Sequence, residues 1–106
     1  MNTEKLRKII KKRLSTDSED PTLMNIWNDE ASILAENVTA TIEFFSHECT
    51  DDEFSILCEV FDDVIEKTQS KELISVWENR LNNITDETEK ALIQTDIDIA
   101  KEKLKA

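Results

Sequence analysis

At 106 residues with 39% hydrophobic content, the chain is long enough for one domain with one core. Gly is absent and Pro occurs once, at Pro21, so the residues that hairpin turns, bulges and phosphate-cradling loops depend on are missing. What remains is an all-α fold, because helix interiors disfavour both residues, and a formal charge of −11 argues against nucleic acid as the ligand.

No apolar run approaches the roughly 20 residues that span a bilayer. Lys8 and Lys11 flank Ile9 and Ile10, which breaks up the apolar stretch a secretory signal needs. Two cysteines, Cys49 and Cys58, make no disulfide framework. The expectation is a cytoplasmic protein of one domain over residues 1–106, with free thiols and no membrane partner.

The first helix is predicted over residues 4–14, with Thr3 as its cap. Leu6, Ile9, Ile10 and Leu14 form one stripe, and Lys5, Arg7, Lys8, Lys11 and Lys12 fill the rest of the circumference. A basic helix of this kind can lie on nucleic acid or an anionic membrane. The simpler reading docks it on the remainder of its own chain, which is strongly acidic. Residues 15–20 form a polar linker, after which Asp20 reads as an N-cap with Pro21 at the first helical position.

A second helix is predicted from residue 21 to about 47. Leu23, Trp27, Ala31, Leu34, Val38, Ile42 and Phe45 share a face, and the sequence leaves room for a break at Asn28-Asp29. Ile26, Ile33 and Phe44 form a second, weaker stripe, so this helix either packs on two sides or meets a partner. Thr50-Asp51-Asp52-Glu53 is a capping box with carboxylates in the positive first turn. It opens a third helix, about residues 51–67, that buries Phe54, Leu57, Cys58, Phe61, Val64 and Ile65. Ser70 caps a fourth, to about residue 83, with Leu73, Trp77, Leu81 and Ile84 inward. Thr85 caps a fifth region, where Leu92 and Ile99 make one stripe and Ile93, Ile97, Ala100 and Leu104 another, which suggests a break near Gln94-Thr95. The architecture expected is a single-domain bundle of about five to six helices, with a basic first helix over residues 1–14 and an acidic core over 15–106.

The charge is unevenly distributed. Between residues 14 and 66 the chain carries 15 Asp and Glu and no Lys or Arg. A surface of one sign attracts a basic partner and repels like-charged polymers. Within the window, Asp52, Glu59, Asp62, Asp63 and Glu66 project to one sector of the third helix at 100° per residue. Most charged faces are merely solvated. Here the Glu59/Asp63 and Asp62/Glu66 pairs repel at i,i+4, by roughly 0.2–0.5 kcal/mol each, with no cation in the helix before Lys67. Such repulsion is expected where it serves a partner.

Two chemical alternatives use the same residues. Asp62-Asp63-x-x-Glu66 resembles half of the acidic motif of magnesium-dependent nucleotide pyrophosphohydrolases, but no Glu-x-x-Asp follows to complete the oxygen coordination that Mg²⁺ requires. His47, Cys49 and Cys58 supply nitrogen and sulfur without a usual zinc spacing. Cys58 lies on the core face, where a thiol packs as a small hydrophobe. The chain is therefore read as non-enzymatic, with no catalytic residue, metal or cofactor. A third possibility is a helical adaptor or self-associating module using Ile26, Ile33 and Phe44.

Residues 31–73, containing Glu36-Asn37-Val38, Ile42-Glu43-Phe44, Glu48-Cys49-Thr50, Glu59-Val60-Phe61-Asp62 and Glu66-Lys67-Thr68-Gln69-Ser70-Lys71-Glu72-Leu73, resemble small helical immunity proteins of bacterial contact-dependent growth inhibition systems. Among these they are most similar to those paired with EndoU-type ribonuclease toxins. The resemblance implies a protein that fills the basic, phosphate-holding cleft of a cognate toxin without doing chemistry. The toxin-binding residues expected are Asp52, Glu59, Asp62, Asp63 and Glu66, with Glu36 and Glu43 beside them and Ile33 and Phe44 as apolar anchors. The partner expected is the toxin domain, with no nucleic acid, and the chain itself a monomer or weak homodimer.

Overall fold

The computed structural model describes residues 1–105, all helices, turns and connections, without a strand among them. The helices are α1 (Thr3–Leu14), α2 (Leu23–Glu36), α3 (Val38–Glu43), α4 (Asp51–Leu57), α5 (Phe61–Thr68), α6 (Lys71–Leu81) and α7 (Glu87–Lys101). A π-helical turn, Phe44–Glu48, follows α3, and a 3₁₀ turn, Cys58–Val60, joins α4 to α5. The all-α bundle is the fold expected from the composition. No helix is long and apolar enough to cross a membrane.

Helix starts follow side-chain chemistry. Thr50 and Glu53 exchange both bonds of the capping box, at 3.1 and 2.9 Å. Ser70 caps α6 through the Leu73 amide. Asp20 does not cap α2 as expected: its carboxylate accepts from the Thr22 amide at 2.8 Å within a tight turn, and the helix begins only at Leu23, where the cap position, Thr22, makes no side-chain cap bond. Two expected caps move by one residue. Asn2 caps α1 in place of Thr3, and Asp86 caps α7 in place of Thr85, because in each case the neighbouring oxygen reaches the third amide of the helix.

The breaks differ more. The long second helix divides at Asn37 and not at Asn28-Asp29: Asn37 turns extended, φ −145° and ψ 102°, and its side chain accepts from the Ala40 amide. The third helix divides at the 3₁₀ turn, where Val60 leaves helical geometry at φ −111° and ψ 6°. The break expected near Gln94-Thr95 does not occur; α7 is continuous, with Ile93, Ile97 and Ala100 inward.

Phe45 is the hub of the core. It makes edge contacts with Phe44, Phe54, Phe61 and Trp77, at centroid distances of 5.4 to 6.2 Å. Phe61 stacks flat on Trp77 at 3.8 Å. Phe44 and Phe45, consecutive residues at the start of the π turn, are both fully buried. Helix α2 packs on two sides, against α1 and against α5. α1 supplies Leu6 and Ile10 to the core, and the Arg7 guanidinium lies 5.8 Å from the Phe44 ring centroid.

Candidate protein-binding surface

The two arginines of the basic helix are engaged internally. Arg7 bonds Glu53 at 2.8 Å and the Glu48 carbonyl at 3.1 Å. Arg13 bonds Glu59 at 2.9 Å, with both side chains largely covered. On the other side of the same connection, Arg80 reaches the Cys49 carbonyl and Asp51. The segment leading into α4 is thus clamped by guanidinium groups from α1 and α6. Burial pushes the Glu53 carboxyl up, but hydrogen bonds from Arg7 and Thr50 outweigh it and hold the group below its ordinary range.

Glu59 consequently leaves the expected stripe. It sits in the 3₁₀ turn, takes the Arg13 ion pair and accepts the Trp27 indole N–H. Trp27 is half-buried and packs against the edge of the core. Beside this group lies Glu30, fully buried, with neither carboxylate oxygen hydrogen-bonded among the described residues. Burial, with the charge of Glu59 adding and that of Arg13 opposing, raises its pKa to about 7.

The other expected contact residues separate into three groups. Asp52 is exposed in the first turn of α4, Asp62 and Asp63 are half-buried in the first turn of α5, and none has an ion-pair partner among the described residues. Glu66 is exposed and 3.9 Å from Lys103, a loose contact. Glu36 is exposed at the end of α2, and Glu43 is exposed 3.7 Å from His47. Because the 3₁₀ turn interrupts the helix, a single 100° projection does not carry Asp52 and Glu59 onto the line of Asp62, Asp63 and Glu66. The two apolar anchors are corrected outright. Ile33 is 6% exposed and Phe44 0%, since α1 covers the stripe to which they belong. Ile26 is buried as well, which removes the self-association surface expected of these three residues.

Two carboxylates were missed: Glu30, which no periodicity signals, and Asp96. Asp96 on α7 faces the seam where α7 packs along α5. Burial raises its pKa, and the charges of Asp62 and Glu59 add to that, while the neighbouring Cys58 thiol opposes it. The signal for it was the Leu92/Ile99 stripe, which Asp96 interrupts at helical spacing.

The sulfur and imidazole groups do not converge. The Cys49 thiol donates to the Thr50 carbonyl and that of Cys58 to the Ser55 carbonyl, while His47 is exposed. Burial pushes the Cys49 thiol up to about 12 and Cys58 higher in the same direction, which opposes the thiolate that nucleophiles and metal ligands require. No group of three or more His, Cys, Asp or Glu among the described residues is placed to hold a metal ion. The chain matches no protein-family model, no curated protein and no solved structure.

Proposed function

We propose that this chain is a non-enzymatic immunity protein that binds a cognate toxic ribonuclease one to one and fills its basic cleft with the carboxylates of α5. The observation that carries the reading is the partition of charge. Arg7 and Arg13 are tied to Glu53 and Glu59, and among the described residues the only ion pair made to Asp62, Asp63 or Glu66 is the loose one from Lys103. An uncompensated acidic helix on a protein of charge −11 accelerates encounter with a basic cleft by roughly 10-fold or more at low salt. The resemblance of residues 31–73 to immunity proteins supports the same class.

The decisive material is the protein encoded by the adjacent upstream reading frame, expressed with and without this chain. Protection from its toxic C-terminal domain, with association that slows as salt rises, is the expected result. Reversing Asp62, Asp63 and Glu66 to Lys together is expected to cut the on-rate by about 10-fold or more. Unchanged affinity and salt dependence in that variant would place the contact surface elsewhere. An upstream frame encoding a metabolic enzyme would remove the immunity reading altogether.

A further inference from the structure

Ile33 and Phe44, the apolar anchors expected on the contact surface, are buried. Of the four large hydrophobic side chains exposed among the described residues, two belong to α7: Leu92, 64% exposed, and Ile99, 41%. The sequence shows two apolar stripes on this segment. Because α7 is continuous, one stripe faces the core as Ile93, Ile97 and Ala100, and the other, Leu92 and Ile99, is left outward. Seven residues make nearly two full turns, so these two side chains stand in line, about 10 Å apart along the axis.

The charge around this outward stripe is of one sign. Glu89 and Asp96 flank it on the edge toward α4, where they and Leu92 border a shallow hollow of about 340 Å³. No Lys, Arg or His borders that hollow, and its third carboxylate, Glu59, is already tied to Arg13. Asp98 and Glu102, both exposed, project beyond the other edge of the stripe. The lysines of α7, Lys90 and Lys101, project to the opposite side, and Lys101 is bonded to Glu78 at 2.8 Å. Lys103, in the turn after the helix, makes the loose 3.9 Å contact with Glu66. Burial and the charges of Asp62 and Glu59 raise the pKa of Asp96, as befits a carboxylate with no cation beside it.

The stripe is also continuous with the carboxylates of α5. α5 packs along α7, Asp62 acts on Asp96 across the seam, and Leu92 and Ile99 stand on the far side of that seam. A second copy of the chain would bring carboxylates against carboxylates here, whereas a basic partner finds unlike charge around an apolar centre. Interfaces concentrate their energy in such centres, with polar contacts around them. We propose that the basic partner assigned to α5 also closes on the outward face of α7, seating an apolar side chain against Leu92 and Ile99 while its cations meet Asp62 and Asp96. The inference rests on the immunity reading for the identity of the partner and supplies the apolar half of the contact. The carboxylates then set the rate of encounter, and Leu92 and Ile99 set the residence time.

The test is the binding kinetics of the toxin domain from the upstream reading frame to the native chain and to Leu92→Gln and Ile99→Gln. Both positions are exposed, and thermal melts show whether each variant is folded; Leu92→Ala supplies the comparison if either is not. Each is expected to raise the off-rate, Leu92→Gln by about 10-fold or more, with the on-rate and its salt dependence within about 2-fold of native. Met24→Gln, on α2 and as exposed as Leu92, is expected to leave both rates unchanged. Native off-rates in the folded α7 variants overturn the proposal and leave the immunity reading standing. A rise in off-rate for Met24→Gln as large as that for Leu92→Gln also overturns it, because the loss is then not specific to α7. A toxin domain that does not bind the native chain removes the immunity reading and this inference with it.

Discussion

Glu30 lies fully buried beside Glu59 and Arg13, with no hydrogen bond to either oxygen among the described residues. Its folded pKa, about 7, stands above its ordinary value of 4.5. Between those two pH values the folded chain holds a proton that the unfolded chain has released. Stability from this group therefore falls as pH rises through the window and levels off above it. At about 1.4 kcal/mol per pH unit, the loss is roughly 3–4 kcal/mol. Glu30→Gln keeps the shape and removes the titration. In urea denaturation, the stability of this variant relative to the native chain is expected to climb from pH 4.5 to 7 and then stay constant; parallel curves would show that Glu30 does not titrate in the fold. Gln69 is a second residue under constraint. With no Gly in the chain, Gln69 takes the left-handed position that ends α5, at φ 55°, at a cost of roughly 1 kcal/mol. Its side chain offsets this by bonding the Ile65 and Lys103 carbonyls and the Lys105 amide. Gln69→Ala keeps the strain and loses the bonds, and is expected to cost about 1–2 kcal/mol. Gln69→Gly is expected to melt nearer the native temperature while the Lys105 amide exchanges faster.

Helix α1 shows how an element can change what its neighbours are for. Read in isolation, the second stripe of α2 and the following segment exposes Ile33 and Phe44, and both were expected to face a partner. In the fold the partner is α1, which brings Leu6 and Ile10 onto the core and sets Arg7 over Phe44. Leu6 is 0% exposed, so Leu6→Ala is expected to cost about 2–5 kcal/mol, measured by denaturant unfolding. Lys12→Ala, on the outer surface of the same helix, is expected to stay within about 0.5 kcal/mol of the native chain. Equal effects at the two positions would mean that α1 is not docked as described. The caps at Thr50 and Ser70 were legible because they are local: a side chain, an amide three residues on, and little else. The break at Asn37 was not, because Asn28 offers the same chemistry and only packing against α1 and α5 decides which one ends the helix.

At the scale of the whole molecule, the uneven charge is the property that the fold rearranges most. The cation-free window from residue 14 to 66 looks like a uniform acidic block in one dimension. Folding sends Arg7, Arg13 and Arg80 across to Glu53, Glu59 and Asp51 and leaves Asp52, Asp62 and Asp63 without partners among the described residues. Association with a basic toxin domain is then expected to depend on salt through the α5 carboxylates, whereas reversing Glu59 is expected to act mainly by destabilising the monomer. Stopped-flow association and thermal melts of the two variant sets separate these outcomes. The all-α class, the capping box and most of the core were determined by the sequence alone. Gly and Pro content, caps and hydrophobic spacing act within a few residues, so they can be read without knowing which helices meet. The breaks at Asn37 and Val60, the burial of Ile33 and Phe44, the capture of Glu59 and the gathering of Asp96 beside Asp62 were decided only by the tertiary structure. Each depends on which helices meet, and ion pairs between residues 46 apart, as in Arg7–Glu53 and Arg13–Glu59, leave no trace in local periodicity.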